Sequence, residues 1–399
     1  MNKAARFPLG HGITLAALDE DPYPTYRALQ IEEPITWCEA SGMYLLTRYQ
    51  DVRAVLLDTE RYVSGTEHSL ISDTFGDQML SLEGTAHRAC KQPLLPLFRP
   101  QAVRDRLERA IEAHADFLIR QFADQGSADL RSTFASRLPV LTMLSLFGLP
   151  ASDEPLFRGW YTAFERALSN FTWDQARRDA AQSSVAEFHA YLQRQLNAKR
   201  QTPDVALLSQ MLGLGSDAAL DDDAIRRNAS IIFFGGISTV EALILNSLYV
   251  LTERPELLER LQEQPDEVNT FLDEVVRWSG PVQSATRHIA HATEIHGTLL
   301  QPGDTLNCMI AAANRDPEIF EEPERFNLDR SELKSHIGFA IGAHHCLGSH
   351  VAKLEARTAL KALLRALPAL QRAPGSPPTL RGFEFRQPQA LHLVWETQR

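Results

Sequence analysis

The 399-residue chain holds only four cysteines, Cys38, Cys90, Cys308 and Cys346, and no two are close enough to form a spaced metal-binding or redox pair. A disulfide framework is therefore not expected; the four read as thiols in a reducing compartment, with the cytoplasm as the expected location. Positive charge is also scarce. With 40 Lys and Arg against 51 Asp and Glu, the net charge is −11, which leaves no basic stripe to neutralise nucleic-acid phosphates. A local basic patch facing an acidic protein stays open. No run of eighteen apolar residues occurs, and the opening "MNKAARFPLGHG" lacks an apolar signal core. Neither a membrane span nor an anchor is expected. Repeats, low-complexity tracts and Gly/Ser linkers are missing too, so residues 1–399 read as one domain, and as a monomer. What is present is ordinary globular composition, 44% hydrophobic and 23% charged, enough for a substantial core.

The periodicity is mainly helical. "PITWCEASGMYLLTRYQDVRAVLL" reads as two short strands and a helix, and Pro100 to about Arg200 carries apolar residues three and four apart. "LDDDAIRRNASIIFFGGISTVEALILNSLYVLTERPE" starts acidic and stops at Pro255, predicting one buried helix of about 30 residues. "PDEVNTFLDEVVRWSG" is a further helix. "ATRHIAHATEIHGTLLQPGDTLNCMIAAANRD" alternates in strand-like runs, Val351 to Leu367 is helical again, and "ALHLVWE" closes on a β-like pattern. The fold class is mainly α with a smaller β portion.

"GFAIGAHHCLGSH", residues 338–350, crowds glycine, histidine and cysteine together. One reading is a zinc clip from His344, His345, Cys346 and His350, although a tetrahedral site usually recruits a second spaced pair. Another is a glycine-rich turn with a structural cysteine. The third rests on the pattern Phe339-x-x-Gly342-x-His344-x-Cys346-x-Gly348, which resembles the cysteine-ligand loop of the cytochrome P450 superfamily. That resemblance implies a P450-like fold, with a long central helix over a haem b whose iron takes Cys346 as thiolate ligand. Gly342 would make a tight bulge under the flat cofactor. Gly348 would let the following helix approach it, Phe339 would shield the sulfur, and His344 would reach a propionate.

Three further stretches resemble the family in the expected order. Glu274-Val-Val-Arg277 matches its Glu-x-x-Arg pair, both charges on one helix face, with Arg325 of "PERFNLDR" as the expected third, structural member. Phe234-Gly235-Gly236-Ile237-Ser238-Thr239 matches its central-helix motif. There Gly235 and Gly236 would leave room for dioxygen, and Thr239 would pass protons. Paired glycines can equally mark close helix packing. Ser238 departs from the family's usual Asp or Glu, which puts the ordinary proton route in doubt; Glu241, one turn on, could substitute or could be an ion pair. "LEGTAHRACK" matches the propionate-binding helix through His87 and Lys91, Lys standing where Arg is usual. Arg287 of "SATRHI" matches the strand arginine that pairs with a propionate.

The resemblance implies a monooxygenase that inserts one atom of O2 into a mainly apolar small molecule. Electrons would come from a ferredoxin or flavodoxin with its NAD(P)H reductase, docking at Lys91, Arg99, Lys353 and Arg357. Phe75, Met79, Phe171, Phe233, Val282 and Ser284 are the expected pocket residues. A peroxide-using haem-thiolate enzyme and a non-catalytic haem-thiolate sensor remain as alternatives.

Overall fold

A computed structural model describes residues 3–66, 69–170, 173–213, 220–375 and 378–397. The two expected N-terminal strands form as β1 (Ile35–Cys38) and β2 (Met43–Leu46) and begin a five-stranded sheet. Its other members are β3 (Tyr62–Val63), β4 (Ala285–Ile289) and β5 (Thr305–Cys308), in the order β1-β2-β5-β4-β3. Only β2 and β5 run parallel; the other pairs are antiparallel. In β4 the side chains alternate, so Ala285 and Arg287 share one face while Thr286 and His288 take the other. Arg287 stands opposite Leu306 and Ala285 opposite Cys308.

The helices that build the site are α1 (Gly84–Lys91), α2 (Pro100–Ile119), α3 (Leu138–Phe147), α4 (Glu154–Leu168), α5 (Gln175–Gln201), α6 (Asp222–Gly235), α7 (Ser238–Glu253), α8 (Val268–Ser279) and α9 (Ser349–Ala366). Proline at the first turn opens α2, and Val103, Leu107, Ile111, Ala115 and Leu118 form its buried stripe against α9. The Asp221 side chain caps α6 by accepting from the N–H of Ala224 at 2.8 Å. The strand His392–Val394 pairs with Ser127–Asp129. That pairing confirms the closing β pattern and interrupts the span expected to be wholly helical from Pro100 to Arg200.

The central helix differs from its expectation. Residues 222–253 are long and apolar enough to cross a bilayer, but most of that stretch is packed inside the protein. It is two helices, α6 and α7, broken at Gly236 and Ile237. The glycine pair relaxes the backbone: Ile237 has φ −108° and ψ −74°, and the Thr239 hydroxyl donates to the Gly235 carbonyl at 2.7 Å.

Candidate functional site

The Cys346 loop is built by local backbone geometry. Gly342 has φ +70°, and a Cβ there would lie 3.1 Å from Leu57 Cδ2 and 3.3 Å from the Leu56 carbonyl. Glycine is needed on both counts. The loop closes as His345 N donates to Gly342 O (3.1 Å) and Cys346 N to Phe339 O (2.9 Å). The backbone N–H groups of Gly348 and Ser349, where α9 begins, turn toward the Cys346 sulfur. Burial pushes this thiol's pKa up; those N–H groups and the Lys91 ammonium pull it back toward the thiolate. Cys346 is nevertheless exposed at its surface. The two facts agree for a side chain deep in the protein that faces open space rather than packed neighbours. A Cβ on Gly348 likewise meets nothing within 4 Å.

Several basic groups accompany the loop. Arg287 is buried, 4% exposed; one guanidinium nitrogen donates to the Thr286 carbonyl (2.8 Å), its Nε has no partner, and no carboxylate pairs with it among the described residues. A buried guanidinium with a spare donor face fits a ligand carboxylate, because left alone it pays its full desolvation cost. His87 Nε2 is buried and unpartnered as well, and burial, reinforced by His344 and Lys91, holds its pKa down at about 4. The His344 ring lies 4.5 Å from that of His87 and puts its Nε2 2.8 Å from the Glu83 carboxylate. Lys91 does something the sequence did not suggest. Its ammonium donates to the carbonyls of Ala343 (2.6 Å) and His345 (2.7 Å), so it clamps the cysteine loop and keeps one donor for an anion. These groups would suit a flat cofactor whose carboxylates meet Arg287 and His87 and whose metal takes the Cys346 sulfur. Among the described residues no three of His, Cys, Asp and Glu gather as a metal site, so the zinc clip is not assembled.

On the central helix the two glycines have separate reasons. A Cβ on Gly236 would come 2.6 Å from Met143 Sδ of α3, whereas one on Gly235 meets nothing within 4 Å. Gly236 is a packing glycine and Gly235 a spacing one. Thr239 follows at the break. Ser238 is buried at 2% exposure, and Glu241 is locked to Arg131 at 2.8 Å, so its interhelix ion-pair reading holds.

A family model described as Cytochrome P450 matches residues 35–382. The chain belongs to the cytochrome P450 family. It is 31% identical over 400 residues to the cytochrome P450 monooxygenase PikC of Streptomyces venezuelae, covering 95% of this chain and 92% of the relative. It is 28% identical over 377 residues to the vitamin D(3) 25-hydroxylase of Pseudonocardia autotrophica, covering 92% and 91%. The crystal structure of CalO2 superposes with a TM-score of 0.86 at 28% identity, covering 94% of this chain and 96% of that one. The protein is thus a haem-thiolate monooxygenase, an oxidoreductase whose cofactor is a cysteine-ligated haem.

Within this P450 the Glu-x-x-Arg pair is fully buried, with Arg277 donating twice to Glu274 at 2.6 and 2.7 Å. Its third member is Arg330, a correction to the expected Arg325. Arg330 is buried with Nε 3.7 Å from Glu274, while Arg325 points outward and pairs with Glu322. Arg325 contributes only its carbonyl, which accepts from Arg277 (3.1 Å) and Arg330 (2.9 Å). "PERFNLDR" offers both arginines, and their order alone could not choose between them.

Two expected pocket residues are engaged in contacts of their own. The Phe233 ring is sealed in the core with Phe157, Phe164 and Phe188; its neighbour Phe234 instead meets Phe75 (6.0 Å), Tyr161 (6.0 Å) and Phe385 (6.1 Å). One residue turns a helix by about 100°, which exchanges the two faces. Ser284 faces away from Arg287 and donates to Glu384, which Asn307 also holds at 3.0 Å. Phe75 and Met79 are buried beside α4 and α6, and Val282 bridges to Phe385. Phe171 lies outside the described residues. On the cysteine side Lys353 pairs with Asp273 and Arg357 with Glu108, which softens the basic patch.

Proposed function

We propose that Cys346 is the thiolate ligand of the haem and that the enzyme oxidises a mainly apolar small molecule held over Gly235 and Thr239. The haem, when bound, supplies the activation of O2 and the oxidation itself. The chain supplies the rest. Arg287 and His87 bind and orient the cofactor's carboxylates, with His344 braced by Glu83 beside them. Gly348 and Ser349 N–H groups hold negative charge on the sulfur, and Lys91 keeps the loop closed. Gly235 leaves space beside the Thr239 hydroxyl, where a proton can be passed. Phe75, Phe234, Phe385 and Val282 exclude water and favour an apolar substrate. A relative named for the hydroxylation of vitamin D(3) supports that class. Electrons would arrive from a ferredoxin or flavodoxin with its NAD(P)H reductase, at the face carrying Lys91, Arg99, Lys353 and Arg357.

The observation that carries this reading is the Cys346 sulfur itself, deep in the protein, unpacked on one side and addressed by two backbone N–H groups. The test is the absorption spectrum of the reduced protein under carbon monoxide. A strongly red-shifted Soret band is expected and should disappear in Cys346→Ser; a red-shifted band surviving that substitution would show the ligand to be another residue.

A further inference from the structure

We propose that Ser238, Tyr161 and Glu165 form a relay that carries protons from solvent to the break in the central helix, in place of the carboxylate the family usually has at position 238. This rests on the monooxygenase reading above.

The Ser238 hydroxyl is 2% exposed and lies one helical turn beyond Phe234, on the face that meets Tyr161 of α4, whose phenol is its polar neighbour. A buried hydroxyl needs a hydrogen-bonding neighbour, and the phenol is placed to be one. Tyr161 is itself buried, and its hydroxyl donates to Glu165 Oε1 at 3.0 Å, one turn further along α4. The phenol ring stacks on Phe234 at 6.0 Å and 22°, which fixes its direction. Glu165 is half-buried and reaches solvent, so the chain has a wet outer end. Its inner end is the residue before Thr239, at the only point where α6 and α7 separate among the described residues.

Glu241 is the obvious competitor, and the geometry disfavours it. Its carboxylate is held by Arg131, which is fastened in turn to the Gln389 carbonyl at 2.9 Å. Arg131, Arg158 and Glu241 surround the relay and set its field. Glu165 alone combines access to water with a bond to the phenol. For one transfer, a proton taken up from solvent at the Glu165 carboxylate passes to Tyr161 Oη while the Tyr161 hydroxyl proton passes to Ser238 Oγ, and Ser238 releases its own proton into the helix break. Each hydroxyl gains one proton and loses one, and Glu165 is reprotonated from solvent. Hydroxyl hydrogens rotate freely, so no heavy atom has to move far.

Two measurements test the relay. The first is infrared, on the ferric protein with ring-labelled tyrosine, with the Tyr161 C–O stretch identified by its loss in Tyr161→Phe. The band should shift in both Glu165→Gln and Ser238→Ala; no shift in Ser238→Ala overturns the link. The second is coupling. Tyr161→Phe should keep the red-shifted carbon monoxide band yet lower coupled product formation by about a hundredfold, the scale of a positioned proton donor, with electrons diverted to hydrogen peroxide. Adding Ser238→Asp to that variant should restore coupling, because a carboxylate at 238 needs no phenol. Unchanged coupling in Tyr161→Phe overturns the relay and leaves the monooxygenase reading standing. A wild-type protein without the red-shifted band overturns that reading instead.

Discussion

Glu274 sits at the meeting point of three chain segments, and its two oxygens accept from Arg277 and from the N–H of Asn327 at 2.8 Å. With no exposed side-chain surface, this carboxylate depends on the full set of donors, Arg330 included. Removing one partner of a buried ion pair leaves an uncompensated charge, so Arg330→Met should cost about 3 kcal/mol. Arg325→Ala keeps the carbonyl that matters and should stay within about 0.5 kcal/mol of wild type. Denaturant midpoints of the two variants would decide it; equal losses would contradict the assignment. The Glu-x-x-Arg spacing was readable because i and i+3 face the same way on any helix. The choice between Arg325 and Arg330 was not, because it depends on how a loop folds back over α8.

The break between α6 and α7 belongs to the scale of elements. Gly236 touches Met143 of α3, so Gly236→Ala should cost about 1–3 kcal/mol by overpacking. Met143→Ala in the same chain should recover much of that, since it removes the opposing atoms. Gly235→Ala meets nothing and should fold as well as wild type, yet it should weaken substrate turnover by placing a methyl beside Thr239. Thermal melts and turnover of the three variants separate packing from spacing; a Gly236→Ala protein as stable as wild type would overturn the packing role. The helix ends were written locally, in Asp221 to Asp223 and in Pro255. The break was ambiguous because a glycine pair signals room or contact equally, and only the neighbouring helix tells which.

For the whole molecule, α9 ties the cysteine loop to the core, and it carries Glu355 into the interior with 0% exposure and no ion-pair partner among the described residues. Burial pushes its pKa up to about 8, partly offset by Thr142. The folded state therefore holds this proton more tightly than the unfolded state, whose carboxyl titrates near 4.5. The contribution to stability is complete below about pH 4.5 and is lost as pH rises to about 8, on the order of 4 kcal/mol over that window. Glu241 and Glu384, also raised by burial, act in the same direction. Melting temperatures measured from pH 5 to 8 should fall in the wild type and fall less in Glu355→Gln. Parallel slopes would mean that Glu355 finds its charge partner in the fold.

The sequence alone determined the features that contiguous residues encode. These are the glycine conformations of the Cys346 loop, the one-face pairing of Glu274 and Arg277, the placement of Thr239 after two glycines, and the order of these motifs. Tertiary structure decided which face met which neighbour. It selected Arg330 over Arg325, packed Phe233 into the core and Phe234 against Phe75 and Tyr161, turned Ser284 away from Arg287, and committed Lys91 to loop carbonyls. A single residue turns a helix by about 100° and reverses a strand face. Contacts between distant segments therefore depend on orientations that no short stretch of sequence specifies.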